Sequence, residues 1–297
     1  MKLKKLLIFT AALAMLALCA CGKEAVIQPS LVPEATATPV PEPSDAEATP
    51  SPTLPPTATP VVVTEAPATA TPTPTVSPED DGRTVVVLDP GHGGSWIGSK
   101  NGKYVEAELD LKIAKYCKEY LEANYPEIEV YMTRTTEKVY SDDLTTDLRA
   151  RVAYAVEMKA DVFVSIHLNY DWYHSSTKYC CVCVPHRDTV KEDAARLAGN
   201  ILTNLEALGL TSMTTEAGVR NGLLYRYSET DFDDNGQALE YYGICRHTAY
   251  ANLVGIIVEH CYISNPETQE KFLSTEAGLR SLAEADAKGI AKYFGLE

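Results

Sequence analysis

Residues 84–94 read TVVVLDPGHGG. Val85 to Leu88 are apolar without interruption, as in a strand covered on both faces, and an aspartate, a proline, a histidine and three glycines follow within six positions. A strand of this kind belongs in the middle of an α/β sheet. Functional groups in such sheets gather just beyond the carboxyl ends of the strands, so His92 stands where a ligand or catalytic group is expected. Gly91, Gly93 and Gly94 let the backbone take positive φ and approach a bound species closely.

Working outward, Leu109, Ile113, Tyr116, Cys117, Tyr120 and Leu121 recur at helical spacing from Glu106 until Pro126 stops the helix. Ile128, Val130 and Met132 alternate as a strand; Leu148, Val152, Ala155 and Val156 mark a second helix, and DVFVSI, 161–166, a third strand. TVKE, 189–192, is a capping-box pattern predicting a helix through Leu208 with Gly209 after it. LVGIIVEH from Leu253 is another buried strand, and Glu276 to Phe294 carries one apolar helical face. The alternation predicts a single three-layer α/β domain, a mostly parallel sheet with helices on both faces. The pattern weakens between Thr211 and Asn252, an interval expected to form part of the active-site rim.

Three apolar strands end in a candidate ligand or acid: His92, His167 and Glu259. Two neutral imidazoles and one carboxylate make a catalytic zinc set with one position left for water. Glu106 and Glu108, opening the helix after the His92 turn, are candidates for that carboxylate, Glu106 being preferred; either also suits the helix dipole. Arg149 and Arg151 read as helix-surface or salt-bridge residues, His260 as pointing away from the metal on the opposite pleat, and His174, His186 and His247 as solvated or structural. DFDDNG, 231–236, matches half of an EF-hand loop, but Tyr242 occupies the position of the bidentate glutamate, so an acidic turn is expected.

Four ordered stretches, LDPGHGG, EAELDLKIA, LRARVAYAVEMKADVFVSIHLN and GIIVEHCYISNPE, resemble the zinc-dependent N-acetylmuramoyl-L-alanine amidases of the third amidase family, over the domain from Val85 onward. The resemblance implies that His92, Glu106 and His167 hold Zn²⁺ and that Glu259 is the catalytic acid and base. It implies hydrolysis of the amide between N-acetylmuramic acid and L-alanine in peptidoglycan. Asp89 and Asn169, close to the ligands, are candidates for orienting the imidazoles; Arg226 and Arg246 are candidates for the substrate's peptide carboxylates. Alternatives are a zinc peptidase cutting within the stem peptide and an inactive wall-binding module of the same fold.

Lys2, Lys4 and Lys5 precede an apolar run to Ala20, an export signal, and ALCAC resembles a bacterial lipobox with Cys21 as the lipidated residue. Residues 22–81 hold 14 of the 18 prolines and cannot bury a core, so 1–21 reads as a lipoprotein signal peptide and 22–81 as a disordered stalk, leaving 82–297 as the catalytic domain. An exported, membrane-anchored lipoprotein facing the cell wall is expected, as a monomer. Of the formal net charge of −15, −10 falls on the domain, which argues against a nucleic-acid partner. Cys180, Cys181 and Cys183 alternate along a strand, so buried thiols or one disulfide are expected rather than a metal site.

Overall fold

The computed structural model describes residues 82–297 apart from Lys178, residues 215–217 and the side chain of Arg220. The signal peptide, Cys21 and the stalk lie outside the described residues. No helix among those described is long and apolar enough to cross a membrane.

The five main strands are β1 (Thr84–Pro90), β2 (Ile128–Met132), β3 (Val162–Asn169), β4 (Tyr179–Cys183) and β5 (Val254–Tyr262). They stand in the order β2-β1-β3-β5-β4, and short strands Leu223–Leu224 and Val219–Arg220 extend the sheet beyond β4. The pairs β1·β2, β1·β3 and β3·β5 are parallel, whereas β4 runs antiparallel to β5. Uninterrupted apolar runs suit the central strands because both faces are covered. Alternate residues of one strand therefore enter different cores: Val86 and Leu88 pack on one side, Val85 and Val87 on the other.

The helices are α1 (Glu106–Asn124), α2 (Leu144–Glu157), α3 (Lys191–Ala207), α4 (Gly243–Tyr250) and α5 (Glu276–Tyr293). The first core takes Ile113 and Leu121 of α1, Leu197 and Ile201 of α3 and Leu282 and Ile290 of α5; the second takes Val152 and Ala155 of α2 with Ile244 and Cys245 of α4. This is the three-layer arrangement expected from the sequence.

One expectation is corrected. Thr189 does not cap α3; the helix opens after Val190 without a side-chain cap, and the Arg187 carbonyl accepts from Val190 N and Lys191 N. Burial of Val190 sets the entry instead. The interval 211–252 is also structural: its apolar residues Leu224, Ile244 and Cys245 extend the sheet and supply α4 to the second core. Residues 233–236 form the turn of a small hairpin, Tyr227–Phe232 with Ala238–Glu240, in which Asp233 Oδ1 accepts from Asn235 N and Gln237 N. All six cysteines of the domain are buried thiols, spread over three separate clusters.

Candidate metal centre

The parallel pairing of β1, β3 and β5 brings their carboxyl ends to one edge of the sheet. His92 follows β1 by two residues, His167 lies near the end of β3, and Glu259 is the direct register partner of His167 on β5. Partners on neighbouring strands stand about 4.8 Å apart, so the carboxylate and the imidazole rise side by side.

His92 is a non-glycine residue with φ +60, a conformation that costs about 1–2 kcal/mol. Two buried guanidinium groups hold it there. Arg134 donates to Pro90 O at 3.0 Å and to Gly91 O at 2.6 Å, and Arg151 donates to Pro90 O at 2.9 Å and to His92 O at 2.6 Å. Three successive carbonyls are thus fixed, and the imidazole is aimed before anything binds. Arg134 also donates to Ala107 O, joining the turn to the start of α1.

At that start, Glu106 N donates to Ser99 O, and Ser99 N returns a bond to Glu106 Oε2 at 2.6 Å. Glu106 Oε1 lies 3.0 Å from His92 Nε2 and 3.3 Å from His167 Nδ1, with the two rings edge to face at 4.8 Å. Burial works to raise the Glu106 pKa, but the hydrogen bonds and charge of the two histidines carry it below the usual carboxylate range. Burial lowers the pKa of His167, favouring the neutral, ligating imidazole. Glu108, the alternative carboxylate, is exposed on α1.

A fourth group, Asp110, joins them. One ligand atom from each of His92, Glu106, Asp110 and His167 lies within 4.8 Å of the others. Asp110 is fully buried, neither of its oxygens has a hydrogen-bond partner, and burial followed by the Glu106 charge raises its pKa well above normal. The sequence reading missed Asp110, although its spacing of four residues from Glu106 puts both carboxylates on one helix face. Glu259 Oε2 is likewise buried without a partner, and burial, then the charge of Glu106, pushes its pKa up to about 8.

The hydrogen bonds of Asp89 and Asn169 go to neither imidazole. Asp89 accepts from Thr133, Ser165 and Arg151, so it secures the arginine that holds the His92 turn; Asn169 Oδ1 accepts from Tyr170 N. Arg151 is no surface residue: it is buried and paired with both Asp89 and Asp147. His260 does face away, donating from Nδ1 to His167 O at 3.0 Å and paired through Nε2 with buried Asp286 at 2.8 Å, so it braces β3 from behind. Arg246 is committed to Glu240 O and Asp231, and Arg226 stacks over Tyr241 at 4.2 Å; neither joins the cluster.

The donor set fits a zinc-type ion: two imidazoles, two carboxylates, and partnerless buried oxygens aimed inward. The backbone presses closely against these ligands: a Cβ on Gly91 would stand 2.3 Å from the His167 ring, and one on Gly98 2.6 Å from both Glu106 Oε2 and the His92 ring.

A family model described as N-acetylmuramoyl-L-alanine amidase matches residues 86–292. The chain is 29% identical over 230 residues to the N-acetylmuramoyl-L-alanine amidase AmiC of Neisseria meningitidis, covering 71% of this chain and 53% of that protein. It therefore spans about half the length of that curated relative. Among solved structures, Cwp6 from Clostridium difficile superposes with a TM-score of 0.56 at 28% identity, covering 71% of this chain and 29% of the other. The catalytic domain of CwlV from Bacillus (Paenibacillus) polymyxa superposes with 0.54 at 25% identity, covering 72% and 99%.

Proposed function

Because this chain belongs to the N-acetylmuramoyl-L-alanine amidase family, we propose that it hydrolyses the amide joining N-acetylmuramic acid to L-alanine in peptidoglycan, with Zn²⁺ held by His92, Glu106 and His167. The observation that carries this reading is Glu259, register partner of His167, with a partnerless buried oxygen beside the four-donor cluster. When bound, zinc would polarise the scissile carbonyl and acidify water. Glu259 accepts the proton of the attacking water and returns it to the departing amine of L-alanine, the two halves of general base and acid catalysis. Its metal-free pKa of about 8 falls beside a cation, toward the range where one carboxyl can serve in both roles. Arg134 and Arg151 keep the His92 turn in place, so the ligands need little rearrangement on loading.

Digestion of purified peptidoglycan followed by mass analysis tests the reading. Free stem peptides and intact glycan strands are expected; cleavage within the stem would instead make the protein a peptidase, and no products would leave a wall-binding module. The leader and Cys21 support a lipid-anchored protein that faces the wall across its stalk as a monomer. Loss of detergent-phase partitioning in Cys21→Ser is the expected outcome.

A further inference from the structure

The chain has two tryptophans, and both are exposed: Trp96 by 44% and Trp172 by 81%. Tryptophan is usually well buried, because its ring supplies one of the largest hydrophobic gains of any side chain. Here each stands on a loop leaving the site edge of the sheet, Trp96 four residues beyond His92 and Trp172 five beyond His167. Tyr173, adjacent to Trp172, is 90% exposed.

The second loop is well fastened. Asp171 Oδ1 accepts from Tyr173 N at 2.8 Å and His174 N at 3.0 Å, its Oδ2 accepts from Thr177 Oγ1 at 2.6 Å, and its own N–H donates to Ser264 Oγ at 3.1 Å. Tyr170, packed on the first core, backs the indole with ring centroids 4.6 Å apart. The loop is therefore fastened at its base while the side chains of Trp172 and Tyr173 remain largely exposed. Five residues of chain limit Trp172 to about 18 Å from His167 along the backbone.

We propose that Trp172 and Tyr173 form a stacking platform for a pyranose ring of the glycan strand, a sugar subsite beside the metal cluster. The proposal rests on the amidase reading, because a bond between a sugar's lactyl group and a peptide can reach Glu259 only with a sugar ring close by. A pyranose presents a face of weakly positive C–H groups, which complements the negative face of an aromatic ring. The domain's charge of −10 disfavours an anionic wall polymer or lipid surface as the occupant, whereas the sugar face is uncharged.

The full-length chain carrying Trp96→Phe has Trp172 as its only indole. Its fluorescence, recorded without added metal, should change saturably on titration with an uncharged oligomer of N-acetylglucosamine. No response up to tens of millimolar sugar, or a response only to anionic phospholipid vesicles, would overturn the subsite. In hydrolysis, Trp172→Ala should lower the ratio of kcat/KM on long glycan strands to kcat/KM on a single muramoyl-peptide by about tenfold, chiefly through KM. An equal fall on both substrates would also overturn it. A wild-type chain that responds to sugar but cuts no muramoyl amide keeps the subsite and removes the amidase reading. One that cuts the amide without a sugar response does the reverse.

Discussion

Replacing Asp110 with asparagine separates metal holding from folding. The carboxyl is fully buried with both oxygens partnerless, and its ligand atom lies within 4.8 Å of those of His92, Glu106 and His167. Even at 4.8 Å, the outer limit of the donor-to-donor spacing, a carboxylate and a dication attract by about 7 kcal/mol at an effective dielectric of 20. Ionising the buried acid opposes most of that gain, since burial and Glu106 hold its pKa well above normal. The net expected loss on removing the charge is 10–100-fold in zinc affinity, about 1.4–2.8 kcal/mol. Metal-free stability should move the other way. The folded acid keeps its proton to higher pH than the unfolded chain does, so above about pH 4 the unfolded state binds fewer protons and stability falls as pH rises. Asparagine removes this penalty, and metal-free Asp110→Asn should melt higher than wild type at pH 7. Chelator competition gives the affinity and calorimetry of the stripped protein the stability. Unchanged affinity, or a less stable metal-free variant, would refute the reasoning.

Glu259→Gln, nearly isosteric, should keep its metal content, read by atomic emission, while release of stem peptides slows by about 10²–10⁴-fold. Gly98→Ala places a Cβ 2.6 Å from Glu106 Oε2 and the His92 ring at φ +68, and should lower zinc affinity; Gly102→Ala shares the strained φ, +58, with nothing within 4 Å, and should leave affinity unchanged. For Asp89, burial opposes ionisation, but Arg151 and the hydroxyls of Thr133 and Ser165 hold its pKa below normal. Its contribution to stability is therefore present above an unfolded value of about 3.9 and lost as pH falls through the folded one. Asp89→Asn, which leaves Arg151 with one buried anion fewer, should cost about 3–5 kcal/mol in urea denaturation at pH 7, and the difference from wild type should shrink in acid.

The chain order of strands from β1 to β3 and the helices between were legible because the periodicity changes cleanly from two to 3.6 at each boundary. The direction of β4 was not, since YCCVC alternates equally well in either sense. Strand ends identified His92, His167 and Glu259 because uncovered polar residues follow apolar runs there. Asp110 stayed hidden because it sits inside a helical pattern, where an acid reads as a solvent face. Arg151 read as a helix-surface or salt-bridge residue; only the tertiary fold reveals that its pair with Asp147 is buried against two backbone carbonyls, Pro90 O and His92 O, with Arg134 beside it. Asp89 was assigned to the histidines for its closeness in sequence, whereas its bonds run to the scaffold.

The reversal of β4 has a consequence for how this domain can change. β3 and β4 flank β5 in the sheet, and because β4 runs backwards, the link between them begins and ends on the same edge. Residues 170–177 must arch over the end of the strand that bears Glu259, whereas a parallel β4 would have sent the chain to the opposite edge. Residues inserted into that arch would add new surface above the cluster while every strand register beneath it stays intact. The bridge is thus a place where the molecule can acquire new substrate preferences without rebuilding its foundations.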